Sequence, residues 1–194
     1  AEFDLPKRDR NQPDYLKSVD TWHDEIANIW LETLNKELPG GGAAALMIWG
    51  DPSLYDSSLR IAQRLKSRVK SLKVKVTPGL TSIQLLTAAH RITLNEIGAP
   101  VMISTGRQLR EKGWPAGCNT LVVMLDGDCS FDHLDGEKYL IWWGAFLGMP
   151  NELVISGQLQ KCAAVIKSSR EKAREQHGWI KDISVSYTHL TLPT

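Results

Sequence analysis

The segment WGDPSLYDS, 49–57, gathers side chains suited to acid–base chemistry. Asp51, Tyr55 and Asp56 are candidates for a general base or for orienting a water, and Gly50 lets a ligand approach the backbone closely. The segment follows an apolar run, AAALMI, and precedes LRIAQRLKSRV, whose apolar spacing is helical. It reads equally as a turn from strand to helix, in which Asp51 or Asp56 caps the helix and Pro52 occupies its first turn. At the carboxyl edge of a parallel sheet, such a turn is also where open α/β folds bind small molecules. A second loop, PGLTS at 78–82, follows the next apolar run and again opens a helix, which places both loops on one sheet edge.

Other candidates fail on order or flanks. Gly40, Gly42 and Ala45 match GxGxxA, but a long helix precedes them and a strand follows, the reverse of a dinucleotide-binding turn. In DGDCSFDHLDGE, 126–137, the acidic and hydroxyl positions match a calcium loop. Phe131, however, stands where the turn needs Gly, and strand-like segments flank it, so a solvated acidic loop is the expectation. The five histidines show no metal-ligand spacing, no GxSxG occurs, and Cys118, Cys129 and Cys162 lie far apart. No metal site and no covalent nucleophile are expected. Trp49, Trp142 and Trp143 are candidates for a wall against a planar ligand, against the ordinary alternative of core packing.

The elements that must position these residues follow from periodicity. Residues 14–38 carry apolar side chains at three-and-four spacing, bounded by Pro13 and PGGG, and predict a long helix. The pattern then predicts a buried strand at 43–49, a helix at 56–69, a strand at 73–76 and a helix at 82–90, an alternation that argues for a parallel sheet. Beyond a boundary near Pro100, strands are predicted at 101–104, 120–125, 139–143 and 153–156, with a short helix near Gln108. An amphipathic helix at 159–176 and a last strand at 179–183 complete a mixed sheet.

The 194 residues are 42% hydrophobic and carry 23 basic against 22 acidic side chains, for a net charge of +1. That balance gives no electrostatic reason to expect nucleic acid. No apolar run reaches the length of a membrane span, no leader opens the chain, and three scattered cysteines suit a reducing, cytoplasmic setting. The last ten residues, VSYTHLTLPT at 185–194, resemble a translated sequencing-library adapter and are expected to contribute nothing to fold or function.

At WGDPSLYDSSLRI and PGLTSIQLLTAAHRITLN the sequence resembles the tetrapyrrole methylases, whose first domain carries a GDP-x-x-Y loop and a PG-x-(S/T)-(S/A) loop. NEIGAPVMISTGR, VVMLDG and HGWI extend the likeness over about residues 14 to 183. The resemblance implies two α/β domains, 1–100 and 101–184, with a ligand cleft between them. S-adenosylmethionine would be the methyl donor and the assembly a homodimer. The donor contacts it implies fall on Gly50, Asp51, Leu54, Thr81, Ser82 and Leu125. The family's first strand and its GxGPGD-like loop are not found, so the first domain is expected to be incomplete through N-terminal truncation.

The activity implied is C-methylation of a corrin precursor at C-1 with release of acetate, in aerobic cobalamin synthesis. Trp49 would face the tetrapyrrole, and Arg60, Arg91 and Arg107 would meet its carboxylates unless each is simply a solvated surface side chain. Asp51, Tyr55 or Asp56 would assist the water that deacetylates. Another tetrapyrrole methylase, a diphthine-synthase-like methyltransferase, or a non-catalytic ligand-binding or dimerisation fragment remain the alternatives.

Overall fold

The computed structural model describes residues 1–8 and 14–188; Pro13, expected to bound the first helix, and the last six positions of the chain lie outside the described residues. Two compact units divide between Thr81 and Ser82.

The first unit, Ala1–Thr81, is built on two helices, α1 (Tyr15–Glu37) and α2 (Ser58–Arg68). The Asp14 side chain accepts the Lys17 amide at 3.1 Å and caps α1, while PGGG at 39–42 ends it, as its sequence predicts. The apolar stripe of α1 meets that of α2 in a core of Ile26, Ala27, Ile61 and Leu65, flanked by Trp22, Trp30, Leu31 and Leu72. On the exposed rim, Arg64 pairs with Asp20 and Asp24, and Arg68 with Asp24 and Asn28. Exposed ion pairs contribute about 0–1 kcal/mol each, so the apolar stripe is what joins the helices.

The strands expected at 43–49 and 73–76 do not form ladders. The first is exposed except at Ile48 and the second is exposed throughout. An apolar run becomes a strand only where another strand pairs its amides and carbonyls, and neither run has such a neighbour among the described residues. The parallel sheet expected of this half therefore does not form among its described residues.

The second unit, Ser82–Thr194, carries the sheet. Its elements are α3 (Ser82–His90), β1 (Val101–Thr105), α4 (Gly106–Lys112), β2 (Thr120–Met124), a 3-10 turn (Ser130–His133), β3 (Leu140–Ala145), β4 (Leu153–Gln158), α5 (Leu159–His177) and β5 (Asp182–Tyr187). The five-stranded sheet runs β1-β2-β5-β3-β4, with β1 and β2 parallel and all other neighbours antiparallel, the mixed sheet that the strand crowding predicts.

Every residue of β3 is buried, because α3 covers one face of the sheet and α5 the other, and its sequence LIWWGA is accordingly apolar without alternation. Ile141, Trp143, Leu159, Ile166, Ala173 and Ile180 form the core beneath α5. On the α3 side Gly144 leaves room for Leu86, whose Cδ1 would lie 2.7 Å from an added Cβ. α3 thus belongs structurally to this sheet, although the sequence texture changes only near Pro100.

The tail expectation requires a correction. β5 continues through Val185, Ser186 and Tyr187, pairs with both β2 and β3, and buries Val185 completely. The folded strand therefore extends past 183, where the last strand is expected to end, and past 184, the expected end of the second domain.

Candidate functional site

In the first unit the GDP loop and the PG loop meet through their backbones. Gly50 adopts φ +89°, a conformation that suits glycine, and an added Cβ there would lie 3.5 Å from the Leu80 carbonyl oxygen. A Cβ on Gly79 would collide with the Gly50 carbonyl oxygen. Gly79 is needed for this close approach, and Gly50 for its backbone conformation.

Asp51 ties the two loops together. Its Oδ1 accepts the Ser53 amide at 2.8 Å and the Ser53 hydroxyl, and its Oδ2 accepts the Gly79 amide at 2.9 Å. These hydrogen bonds, the Ser53 hydroxyl foremost, hold the carboxyl below the usual carboxylate range. A carboxylate so engaged is a weak proton acceptor.

Leu54 follows, with its amide 3.4 Å from the Asp51 carbonyl, and Tyr55 takes a left-handed φ of +51°. Burial raises the Tyr55 phenol above its ordinary value. The Asp56 carboxylate, one residue before the N-cap Ser57, accepts the Ser58 amide at 2.6 Å and so satisfies the first amide of α2. Arg60 turns back to the Asp56 carbonyl at 2.9 Å, so its guanidinium already serves the loop. Trp49 is 72% exposed.

One neighbour of this loop escaped the sequence reading. His23 of α1, buried, shares a hydrogen bond of 2.9 Å with the Ser57 hydroxyl. Burial first, then the charges of Arg64 and Arg60, hold its imidazole below the ordinary value, which favours the neutral ring. The signal was its position: His23 stands three and four residues before the buried Ile26 and Ala27, on the same helix face.

In the second unit, Ser82 opens α3, and Arg91 follows it with φ +57°. Arg107 is exposed in the first turn of α4. Leu125 follows β2 directly, with φ +53° and 65% of its surface exposed, so it presents an apolar side chain at a strand's carboxyl end. Trp142 and Trp143 do not form a ligand wall: both are buried within β3, and Trp143 Nε1 donates to Asp182 Oδ2 at 3.0 Å.

The loop after Leu125, expected to be a solvated acidic stretch, is instead held by buried charges. Asp126 is buried, and its Oδ2 accepts the Ser130 amide and hydroxyl, both at 2.7 Å, while its Oδ1 faces Arg110 at 3.2 Å. Arg170 of α5, 7% exposed, donates to the carbonyls of Gly127 at 2.9 Å and Asp126 at 2.8 Å. A Cβ on Gly106 would strike the Asp126 side chain, which explains the glycine at the start of α4.

Residues 3–163 match the family described as Tetrapyrrole (Corrin/Porphyrin) Methylases, and the chain belongs to that family. Within it, the chain is 45% identical over 184 residues to precorrin-6A synthase (deacetylating) of Sinorhizobium sp, an alignment covering 94% of this chain and 70% of that relative. Among solved structures it is similar to a putative cobalamin synthesis related protein (CobF) from Corynebacterium diphtheriae. There the identity is 37% and the TM-score 0.78, covering 89% of this chain and 73% of that one. It also shares its fold with uroporphyrin-III C-methyltransferase from Thermus thermophilus complexed with S-adenyl homocysteine, at 16% identity and TM-score 0.54, covering 84% of this chain and 72% of that one.

Proposed function

We propose that the protein is an S-adenosylmethionine-dependent C-methyltransferase of aerobic cobalamin biosynthesis that methylates precorrin-5 at C-1 and releases acetate, giving precorrin-6A. The observation that carries this reading is the 45% identity to a deacetylating precorrin-6A synthase across nearly the whole chain. The donor-loop motifs that suggested the family lie inside that alignment's span and inside the matched residues 3–163.

The chemistry asks little of side chains as nucleophiles. The donor's sulfonium supplies a methyl group already activated for in-line displacement, so the protein contributes mainly position, an effect worth about 7–11 kcal/mol when alignment is complete. Gly50 and Gly79 fit this demand by bringing the two loops' backbones together, which fixes the position of both loops. In this reading the residues proposed to serve the donor are Gly50, Asp51, Leu54, Thr81, Ser82 and Leu125. Hydroxyls and helix-opening amides would meet its polar end, and leucines its adenosyl group.

Deacetylation consumes one water, and the acetyl group leaves as acetate. Tyr55 and Asp56 are the groups of the loop closest in sequence to the donor residues that can orient that water. Arg60, Arg91 and Arg107 are proposed to meet substrate carboxylates, with Trp49 against the macrocycle. The protein is further proposed to act in the cytoplasm as a homodimer.

The test is transfer of a labelled methyl group. Incubated with methyl-labelled S-adenosylmethionine and precorrin-5, the protein is expected to move label into the tetrapyrrole. Label that stayed on the donor with precorrin-5, but moved into uroporphyrinogen III or another precorrin supplied in its place, would assign a different substrate.

A further inference from the structure

The geometry points to Asp51 as a positioning residue that locks the 50–54 loop to the 78–81 loop, so that the two move as one surface, rather than as the base that activates water. The inference rests on the methyl-donor reading for its consequence, though the lock itself is a property of this chain alone. Both carboxylate oxygens are engaged by main-chain amides: Oδ1 by Ser53 and Oδ2 by Gly79, twenty-eight residues further along. The Ser53 hydroxyl adds a third donor on Oδ1.

The backbones come close independently of the carboxylate. Gly79 has no room for a Cβ against the Gly50 carbonyl, and the Leu80 carbonyl lies 3.5 Å from where a Gly50 Cβ would stand. Three donors on one anion also stabilise its charged form, which makes it a poor receiver of a proton from water. A carboxylate held in this way is suited to fixing shape. The flanking runs 43–49 and 73–76 form no strand ladder among the described residues, and Asp51 and the two glycines bring the ends of these segments together.

The experiment is a double-mutant cycle on the full chain with Asp51→Asn, Gly79→Ala and the pair, read three ways. Amide hydrogen exchange at Gly79 reports the lock without any ligand. Calorimetric titration with S-adenosylhomocysteine reports its consequence for the donor. The pH profile of kcat reports proton transfer.

Asp51→Asn keeps the shape but can no longer accept from both sides, so Gly79 exchange is expected to quicken at least tenfold. Donor-product affinity is expected to fall about tenfold, with the loss appearing in KM more than in kcat and the shape of the pH profile retained. Gly79→Ala is expected to weaken affinity by a similar factor, and the double variant to lose little more than either single, because both break the same lock.

Unchanged Gly79 exchange in Asp51→Asn would overturn the lock. Losses that multiply in the double variant, or a kcat collapse with a lost acid limb in the pH profile, would return Asp51 to direct binding or base catalysis. A wild-type chain that binds no S-adenosylhomocysteine would instead contradict the methyl-donor reading, and the exchange rates would still decide the lock.

Discussion

Arg170 Nε donates to Asp182 Oδ2 at 2.9 Å, joining the middle of α5 to the first residue of β5 in the interior of the second unit. The same oxygen accepts Trp143 Nε1, and the other two Arg170 nitrogens serve the Asp126 and Gly127 carbonyls. One guanidinium therefore connects a helix, two strands and the loop that presents Leu125. Burial pushes the Asp182 carboxyl upward, while Arg170 and Trp143 oppose that shift. The cost of burying the charged pair is offset by the hydrogen bonds that each Arg170 nitrogen makes and by the second donor, Trp143, on Asp182.

Replacing Arg170 by Ala is expected to cost about 3–5 kcal/mol, since it leaves the Asp182 carboxylate without its cation, with only Trp143 Nε1 donating to it, and two carbonyls without their donor. At roughly 2–4 °C per kcal/mol for a chain of this size, the melting temperature should fall by roughly 6–20 °C. Arg170→Lys should recover less than half of the loss, because an ammonium cannot span the three acceptors. A melting scan showing either variant within 2 °C of wild type, roughly the effect of 1 kcal/mol, would mean that the network is not a stabilising centre.

Residues 185–187 carry a titration that can be followed directly. The Tyr187 hydroxyl donates to the Thr93 carbonyl at 2.9 Å and the Leu94 carbonyl at 3.2 Å. Burial, with a smaller push from Glu96, raises its phenol to about 12. Because the folded value lies above the ordinary one near 10, the folded chain holds this proton longer than the unfolded chain. The stability linked to it is therefore complete below pH 10 and is lost as pH rises toward 12. Ultraviolet titration should show one late tyrosine step that Tyr187→Phe removes; a Tyr187→Phe curve identical to wild type would refute the assignment.

The same strand makes deletion informative. Removal of 185–194 takes three residues from β5, including the fully buried Val185, and unpairs parts of β2 and β3. Circular dichroism should show loss of the cooperative melting of the second unit. A deletion variant that melted like the parent would restore the view of this stretch as an inert tail.

What the sequence made legible was set by local periodicity. α1, α3 and α5 were visible because their apolar residues recur at three and four, and β1 to β4 because their runs are apolar and bounded by turns. The runs 43–49 and 73–76 were read as strands because pattern speaks of burial and not of partners. The end of β5 is not expected because residues 185–194 resemble a translated adapter, a likeness that says nothing of how Val185, Ser186 and Tyr187 pair.

Of the candidate site, the two loops and their glycines were legible from motif, but the links that hold the loops in place were not. Asp51 to Gly79 and His23 to Ser57 span many residues of sequence, and no spacing rule connects them. Arg170 left a faint mark, since it falls four after Ile166 and three before Ala173 on the buried face of α5.

The PG loop gives its own test of the donor site. Thr81→Val together with Ser82→Ala removes hydroxyls whose hydrogen bonds are worth roughly 0.5–1.5 kcal/mol each, so affinity for S-adenosylhomocysteine should fall by roughly 5- to 150-fold. An unchanged dissociation constant by calorimetry would remove these two residues from the donor site.

The central claim is a methyl transfer coupled to loss of an acetyl group, and its most direct test is the stoichiometry of one reaction. Precorrin-5, S-adenosylmethionine and the protein should yield S-adenosylhomocysteine and acetate in equal amounts, with a tetrapyrrole product that has gained one methyl and lost one acetyl group. Formation of S-adenosylhomocysteine and a methylated tetrapyrrole without acetate would contradict the deacetylating assignment and place the protein elsewhere among the tetrapyrrole methylases.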